Sequence, residues 1–326
     1  MRIVVVGATG HIGTFLVPRL VRVGHEVVTV TRGTSTPYAE GPEWERVERV
    51  IADREQEDRD GTFGDRIAGL RADAVVDLVC FTLSSAEALV AALRGTGTHL
   101  VHCGSIWRAG VSHVLPVTEE NATPPFGEYG TQKDAIARML KQETASGGLV
   151  TTSLHPGHIS GPGWAPIGPL GNLDPGVWAA LSAGAVVEVP GLGAETMAHV
   201  HADDVAQAFQ LAVEHRDAAV GEDFFITAPT ALTARGYAHL AASWFGQEAR
   251  LESVTWDRFR ETTAPEHADA SWQHLSRSQA FSTEKPRRLL GYQPAHTAEA
   301  TVLDAVRWLV DHGEVEVANP LVVTGA

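Results

Sequence analysis

Cysteine is scarce in this chain. Cys80 and Cys103 are the two it has in 326 residues, too few for a disulfide framework, which points to a reducing compartment. No apolar run approaches the ~18 residues that a membrane span requires. The first apolar stretch, Ile3–Val6, is interrupted at Gly7 and Gly10, so the N-terminus does not read as a signal peptide. Basic side chains are few as well. Lys and Arg total 25 against 40 Asp and Glu, a net charge of −15, which argues against nucleic acid or an anionic membrane as the main partner. These absences give the expectation of a soluble, cytoplasmic protein. The rest of the composition is ordinary, with 44% hydrophobic and 20% charged residues. Disorder, collagen and coiled coil are thereby excluded as the main architecture. The length allows two domains, or one large α/β domain with a lobe attached.

The N-terminal half alternates short β-branched runs with helical patterns, the signature of a parallel sheet covered by helices. Strands are expected at Ile3–Val6, Glu26–Val30, Val47–Ile51, Ala74–Val79, Leu100–Cys103 and Leu149–Leu154. Phe15, Leu16, Leu20 and Val23 recur at helical spacing, and Gly24 stops that helix. Further helices are expected near Ser85–Arg94 and Glu128–Ser146, then at 203–215, 233–245 and 297–312. Residues 40–73 carry charge of both signs and read as a solvated loop and helix face. Pro, Gly and Trp crowd residues 156–178, which read as irregular loops. The tail 314–326 gives no signal.

Gly7-Ala8-Thr9-Gly10-His11-Ile12-Gly13 follows the first strand and opens the first helix. A diphosphate needs a tight turn, close backbone approach and a helix N-terminus with free N–H groups. The spacing is GxxGxxG, and its place in a βαβ pattern favours a dinucleotide site over a plain strand-to-helix turn. The second strand ends in Thr31-Arg32-Gly33, with no carboxylate for an adenosine 2′-hydroxyl. A guanidinium there can grip a 2′-phosphate, so Arg32, unless it points into solvent, favours NADP(H) and leaves NAD(H) as the alternative. Asp53, past the third strand, is placed to accept from the adenine amino group.

Tyr129-Gly130-Thr131-Gln132-Lys133 puts a phenol and an ammonium one helical turn apart on a shared face. The chain has only 4 Tyr and three Lys, so chance pairing at this spacing is rare. A lysine cation lowers a tyrosine pKa, and the phenol can then exchange a proton with a substrate oxygen. Ser105, just beyond the strand Leu100–Cys103, could hydrogen-bond the same oxygen.

On these residues the chain resembles the extended branch of the short-chain dehydrogenase/reductase superfamily, the NAD-dependent epimerase/dehydratase family. The likeness continues through His155-Pro156-Gly157-His158-Ile159-Ser160-Gly161-Pro162-Gly163, through Val200-His201-Ala202-Asp203-Asp204-Val205-Ala206, and to Lys285 and Leu289-Leu290-Gly291-Tyr292. It implies an α/β fold, a Rossmann-type doubly wound parallel sheet with a smaller mixed C-terminal substrate lobe. The dinucleotide-binding domain would span 1–155, with 200–228 returning to it, and the lobe would comprise 156–199 and 229–326. It implies hydride transfer at a carbinol or keto carbon, with Tyr129 as acid/base, Lys133 as its partner and nicotinamide-ribose ligand, and Ser105 as the polarising hydroxyl. Expected cofactor contacts are Gly7, Thr9, Gly10, His11, Ile12, Gly13, Arg32, Asp53, Val79, Lys133 and His155. The branch also allows a homodimer.

The departures from the family pattern bear on substrate. Sugar 4,6-dehydratases place Asp-Glu directly after the residue equivalent to Ser105. This chain has Ile106-Trp107, neither of which transfers a proton. Nucleotide-sugar epimerases carry Asn where His158 stands and a diphosphate-binding Arg where Met197 stands. Residues 142–215 contain no Lys or Arg at all, so a bound diphosphate would depend on backbone N–H groups or on an arginine of the lobe such as Arg277. Trp107, His158 and Trp164 are the substrate-pocket candidates, with aromatic packing in the lobe as the other reading. His155, His158, His199 and His201 have no cysteine near them and read as neutral or hydrogen-bonding, with no metal expected. The leading expectation is an oxidoreductase or epimerase acting on a small, non-nucleotide, sugar-like or keto substrate. A nucleotide-sugar 4-epimerase with bound NAD is the alternative among enzymes, and a non-catalytic NADP-binding regulator is the alternative outside them.

Overall fold

Six strands and five α-helices begin the chain in the computed structural model, which describes residues 1–39 and 41–323. They run β1 (Arg2–Val6), α1 (His11–Arg22), β2 (Glu26–Thr31), β3 (Glu48–Ile51), α2 (Arg54–Asp60), α3 (Phe63–Gly69), β4 (Ala74–Asp77), α4 (Leu83–Leu93), β5 (His99–Cys103), α5 (Glu128–Ala145) and β6 (Val150–Pro156). A seventh strand, Asp223–Ile226, completes one parallel sheet in the order Asp223–Ile226, β6, β5, β4, β1, β2, β3. This is the doubly wound arrangement expected from the alternating pattern. The strand order reverses between β1 and β4, and ligands of such sheets bind beyond the carboxyl ends of the strands at that point.

Alternation along β1 sorts its side chains between two cores. Ile3 and Val5 face α1 and the helix Ala202–Glu214, beside Leu16, Leu20 and Phe209. Val4 and Val6 face the opposite layer with Leu89, Ile136 and Leu140. Strands buried on both faces explain the unbroken β-branched runs, since each buried Val or Ile contributes ~1.5–3 kcal/mol. A third core forms the lobe, built on Trp178, Tyr237, Trp244, Leu275 and Val306. Val186–Pro190 and Arg250–Val254 pair in parallel there.

Asp204, fully buried, ties the two parts together by accepting from the amides of Ala295 and His296 at 2.7 and 3.1 Å. Tyr292 donates to the Thr227 carbonyl at 3.2 Å. The tail is anchored rather than featureless. Val315, Val317, Leu321 and Val323 pack on the lobe core, and Ala318 and Asn319 bond Ser182. Residues 324–326, the end of that tail, lie outside the described residues.

Candidate active site

The loops that leave β1, β2, β3 and β4 enclose a cavity of about 270 Å³ lined by Gly7, Thr9, Gly10, Arg32, Asp53, Arg54, Phe63 and Val79. Gly7 has φ +85°, and a Cβ there would lie 2.6 Å from Val79 Cγ1. Gly13 packs α1 onto the turn so closely that a Cβ would meet the Ala8 carbonyl oxygen at 2.2 Å. Gly10 is the N-cap of α1 and supplies no capping side chain, so the first amides of the helix keep their donors for an anion. Thr9 Oγ1 and Ser35 Oγ lie 2.9 Å apart at the mouth. Arg32 is exposed at the rim. Asp53 caps α2 through one carboxylate oxygen, accepting from Gln56 N at 3.1 Å. An open glycine cradle, free helix amides and a rim cation together fit a dinucleotide.

A second cavity, of about 300 Å³, opens beyond β5 and β6 and joins Ser105, Trp107, Tyr129, His158 and Trp164 with His11 and His274. Two glycines make this convergence possible. Gly130 brings α5 against the Ser105–Arg108 turn, where a Cβ would meet the Trp107 carbonyl oxygen at 2.4 Å. Gly104 lies on the His155 ring, where a Cβ would come within 2.0 Å of Nδ1. Beneath the turn Arg108 pairs with Asp134 of α5 at 3.3 Å and with Asp223 of the seventh strand of the sheet. Ser105 Oγ accepts from the Trp107 amide at 3.2 Å, which leaves its proton free to donate.

Tyr129 is 41% exposed and lines this cavity. Burial of its phenol end pushes its pKa up to about 12, against a hydrogen bond with Ser105 that acts downward. The lowering by Lys133 expected from the spacing is not realised. Lys133 Nζ donates to the Cys80 and Cys103 carbonyls at 2.7 and 2.8 Å and stands 5.7 Å from the Tyr129 ring centroid. Burial lowers the ammonium's own pKa. Its third N–H is not engaged by either carbonyl.

Several expected contacts fall elsewhere. His11 gives its backbone to the α1 N-terminus, but its ring lies in the second cavity, stacked on Trp164 at 5.1 Å and 14°. Burial drives it down to about 3. Ile12 packs into the core, and only its amide and that of Gly13 are available to a ligand. His155 is fully buried under Gly104 against Phe225 and lines neither cavity, because β6 carries it beneath the strand ends. Met197 is fully buried in the lobe core. Arg277 is 1% exposed, sandwiched between the Trp107 and Phe126 rings at 4.0 and 3.8 Å, with its arms on the Gln273 and Phe126 carbonyls. Both terminal nitrogens are thereby engaged, and Arg277 is not among the residues that line the second cavity.

Arg54 is the cavity residue that the sequence hid, because it sits in a stretch read as solvated. Among the described residues, His201, His296 and Asp304 bring potential metal-ligating atoms within 4.8 Å of one another. The two imidazoles stack at 3.8 Å and 15°. His201 Nδ1 accepts from the Asp203 amide as a helix cap.

The family model for the NAD dependent epimerase/dehydratase family matches residues 3–227. The chain is 30% identical over 210 residues to a 2′-dehydrokanamycin reductase of Streptomyces kanamyceticus, covering 64% of this chain and 56% of that protein. It thus spans little more than half the length of that relative. It is 27% identical to a UDP-glucose 4-epimerase of Mycolicibacterium smegmatis, covering 64% of this chain and 72% of that protein. The structure of a UDP-glucose 4-epimerase of Thermotoga maritima with UDP-glucose superposes with a TM-score of 0.72 at 19% identity, covering 96% and 99% of the two chains. No helix among the described residues is long and apolar enough to cross a membrane. The sheet order, the glycine cradle and the match over residues 3–227 agree: the chain belongs to the NAD dependent epimerase/dehydratase family.

Proposed function

We propose that this protein is an NADP(H)-preferring oxidoreductase that interconverts a ketone and an alcohol on a small, sugar-like substrate carrying no nucleotide. The carrying observation is the second cavity. Its wall offers Ser105, Tyr129 and three imidazoles, with indole and aliphatic surface, and among the described residues no Lys, Arg, Asp or Glu. A diphosphate dianion would have no charged partner there. Hydroxyl or amino groups would find hydrogen-bonding partners in neutral imidazoles, which both donate and accept.

A bound nicotinamide dinucleotide supplies the hydride. The chain's own residues do the rest. Ser105 donates to the substrate oxygen and orients it towards Tyr129. Tyr129 gives that oxygen a proton in reduction and takes it back in oxidation. Lys133 holds the carbonyls of Cys80 and Cys103 and turns its third N–H to a ribose hydroxyl. Arg32 grips the 2′-phosphate, and Asp53 accepts from the adenine amino group. A non-catalytic regulator would have no use for a serine and a tyrosine converging on one open cavity.

The test offers the purified protein NADPH and NADH with 2′-dehydrokanamycin, and separately UDP-glucose. NADPH-dependent reduction of the ketone, with no change to UDP-glucose, is expected. Arg32→Ala should raise the Kd for NADPH by about 10- to 100-fold, the worth of a charge-assisted pair, and leave that for NADH nearly unchanged. Release of tightly held NAD+ on denaturation, with epimerisation of UDP-glucose, would replace this reading with that of a 4-epimerase.

A further inference from the structure

Arg54 is 8% exposed although it opens the charge-rich helix α2. Its Nη1 donates to Asp77 Oδ1 at 2.5 Å, and Asp77 is itself 2% exposed. Its Nε donates to Ser85 Oγ at 3.0 Å and reaches Asp58 Oδ2 at 3.4 Å. The guanidinium carbon lies 4.8 Å over the centroid of the Phe63 ring. The group is therefore fixed on three sides. The remaining arm, Nη2, is buried and has no partner, a costly state that is rare unless a ligand or water completes it. Arg54 also lines the dinucleotide cavity beside Asp53 and Val79.

Two carboxylates already balance this one cation, so a phosphate has little to gain from it. A neutral acceptor suits the free arm better. Asp53, the preceding residue and also on the cavity wall, uses one oxygen to cap α2 and keeps the other as an acceptor. An acceptor beside a donor is the complement of adenine, which presents its amino group next to a ring nitrogen. We propose that Arg54 reads the adenine base of the dinucleotide, with Nη2 donating to a ring nitrogen while Asp53 accepts from the amino group. The inference rests on the reading of this cavity as the dinucleotide site.

The test is a set of equilibrium titrations with NAD+, NADP+ and nicotinamide hypoxanthine dinucleotide, with thermal melts in parallel. Arg54→Lys keeps a cation for Asp77 but loses the second arm, and Arg54→Met loses both. Each should raise the Kd for NAD+ and NADP+ by the same factor, about 10- to 100-fold. The wild type should bind the hypoxanthine analogue at least about tenfold more weakly than NAD+, since the amino donor is replaced by an oxygen facing Asp53. This last measurement needs no variant and stands if both substitutions prevent folding. Normal affinity of a folded Arg54→Lys for both cofactors would make Arg54 purely structural and overturn the proposal. A loss confined to NADP+ would overturn it in favour of phosphate binding, and equal affinity for the hypoxanthine analogue would overturn base reading. A wild type that bound no dinucleotide would sink the site assignment itself, whereas the other three outcomes leave that assignment standing.

Discussion

At the scale of single residues, the chemistry turns on where protons sit. Burial pushes the Tyr129 phenol up to about 12, so under the proposed mechanism it would enter carbonyl reduction as an acid at any neutral pH. The sign follows directly: the acid form is lost only as pH rises towards that value. Reduction should therefore be flat from roughly pH 7 to pH 9. A tenfold fall per pH unit within that range would show that tyrosinate forms near neutrality in the working complex. Tyr129→Phe should cost ~10²–10⁴-fold in turnover and leave dinucleotide affinity intact, as measured by steady-state kinetics and titration. Wild-type turnover in this variant would remove Tyr129 from the mechanism. That Tyr129 and Ser105 meet at one cavity was legible, because a helix-spaced Tyr and Lys and a hydroxyl just past a strand end fix where those side chains lie. The inward turn of the His11 ring was not, since it depends on Trp164, 153 residues away in sequence. Arg54 was hidden for a similar reason. Its partner Asp77 ends a strand expected to run on to Val79, and a charged pair buried against a sheet leaves no periodic trace.

At the scale of elements, the approach of α1 to its own turn sets the cradle. Gly13→Ala would place a methyl group 2.2 Å from the Ala8 carbonyl oxygen. Backbone cannot step aside as a flexible side chain can, so the helix must tilt away from the sheet. The expected loss is about 1–3 kcal/mol of stability together with weakened dinucleotide binding. Gly69→Ala is the contrasting case. It lies at the end of α3 with nothing within 4 Å of the added Cβ, and it should be neutral or stabilising by up to ~1 kcal/mol. Urea midpoints of the two variants check both signs, and equal effects would refute the packing account of Gly13. The βα repeats were readable because strands buried on both faces must be continuously apolar. The lobe was less so. Val186–Pro190 pairs with Arg250–Val254, and neither segment has a local pattern that reveals a partner some sixty residues off. The tail was silent because its apolar residues are spaced to fit a surface already formed by other elements.

At the scale of the whole molecule, the 15 histidines matter more to stability than to catalysis. Burial holds His11, His102 and His199 down to about 3, and His99 and His201 down to about 4. All five are buried. The unfolded chain titrates near 6.5, so between about 6.5 and 4 it binds protons that the native state refuses. The stability contributed by these neutral rings is complete only well above about pH 6.5 and is lost as pH falls towards the folded values. One unit below 6.5, each ring costs about 1 kcal/mol, so five approach the whole stability of an ordinary domain. His296 works in the opposite sense, since its hydrogen bond to Asp204 raises its pKa, but it is one ring against these five and against His155, His158 and His274, which burial lowers as well. Acidification also relieves the self-repulsion of the −15 charge, a surface effect spread over long, screened distances and therefore the weaker of the two. Urea unfolding at about pH 7.5, 6.5 and 5.5 should give a free energy that falls by about 2 kcal/mol across the first interval and by about 5 kcal/mol across the second. His102→Gln should make that fall shallower by the share of one ring. A profile level down to pH 5.5 would mean that water reaches these imidazoles and that they ionise inside the fold.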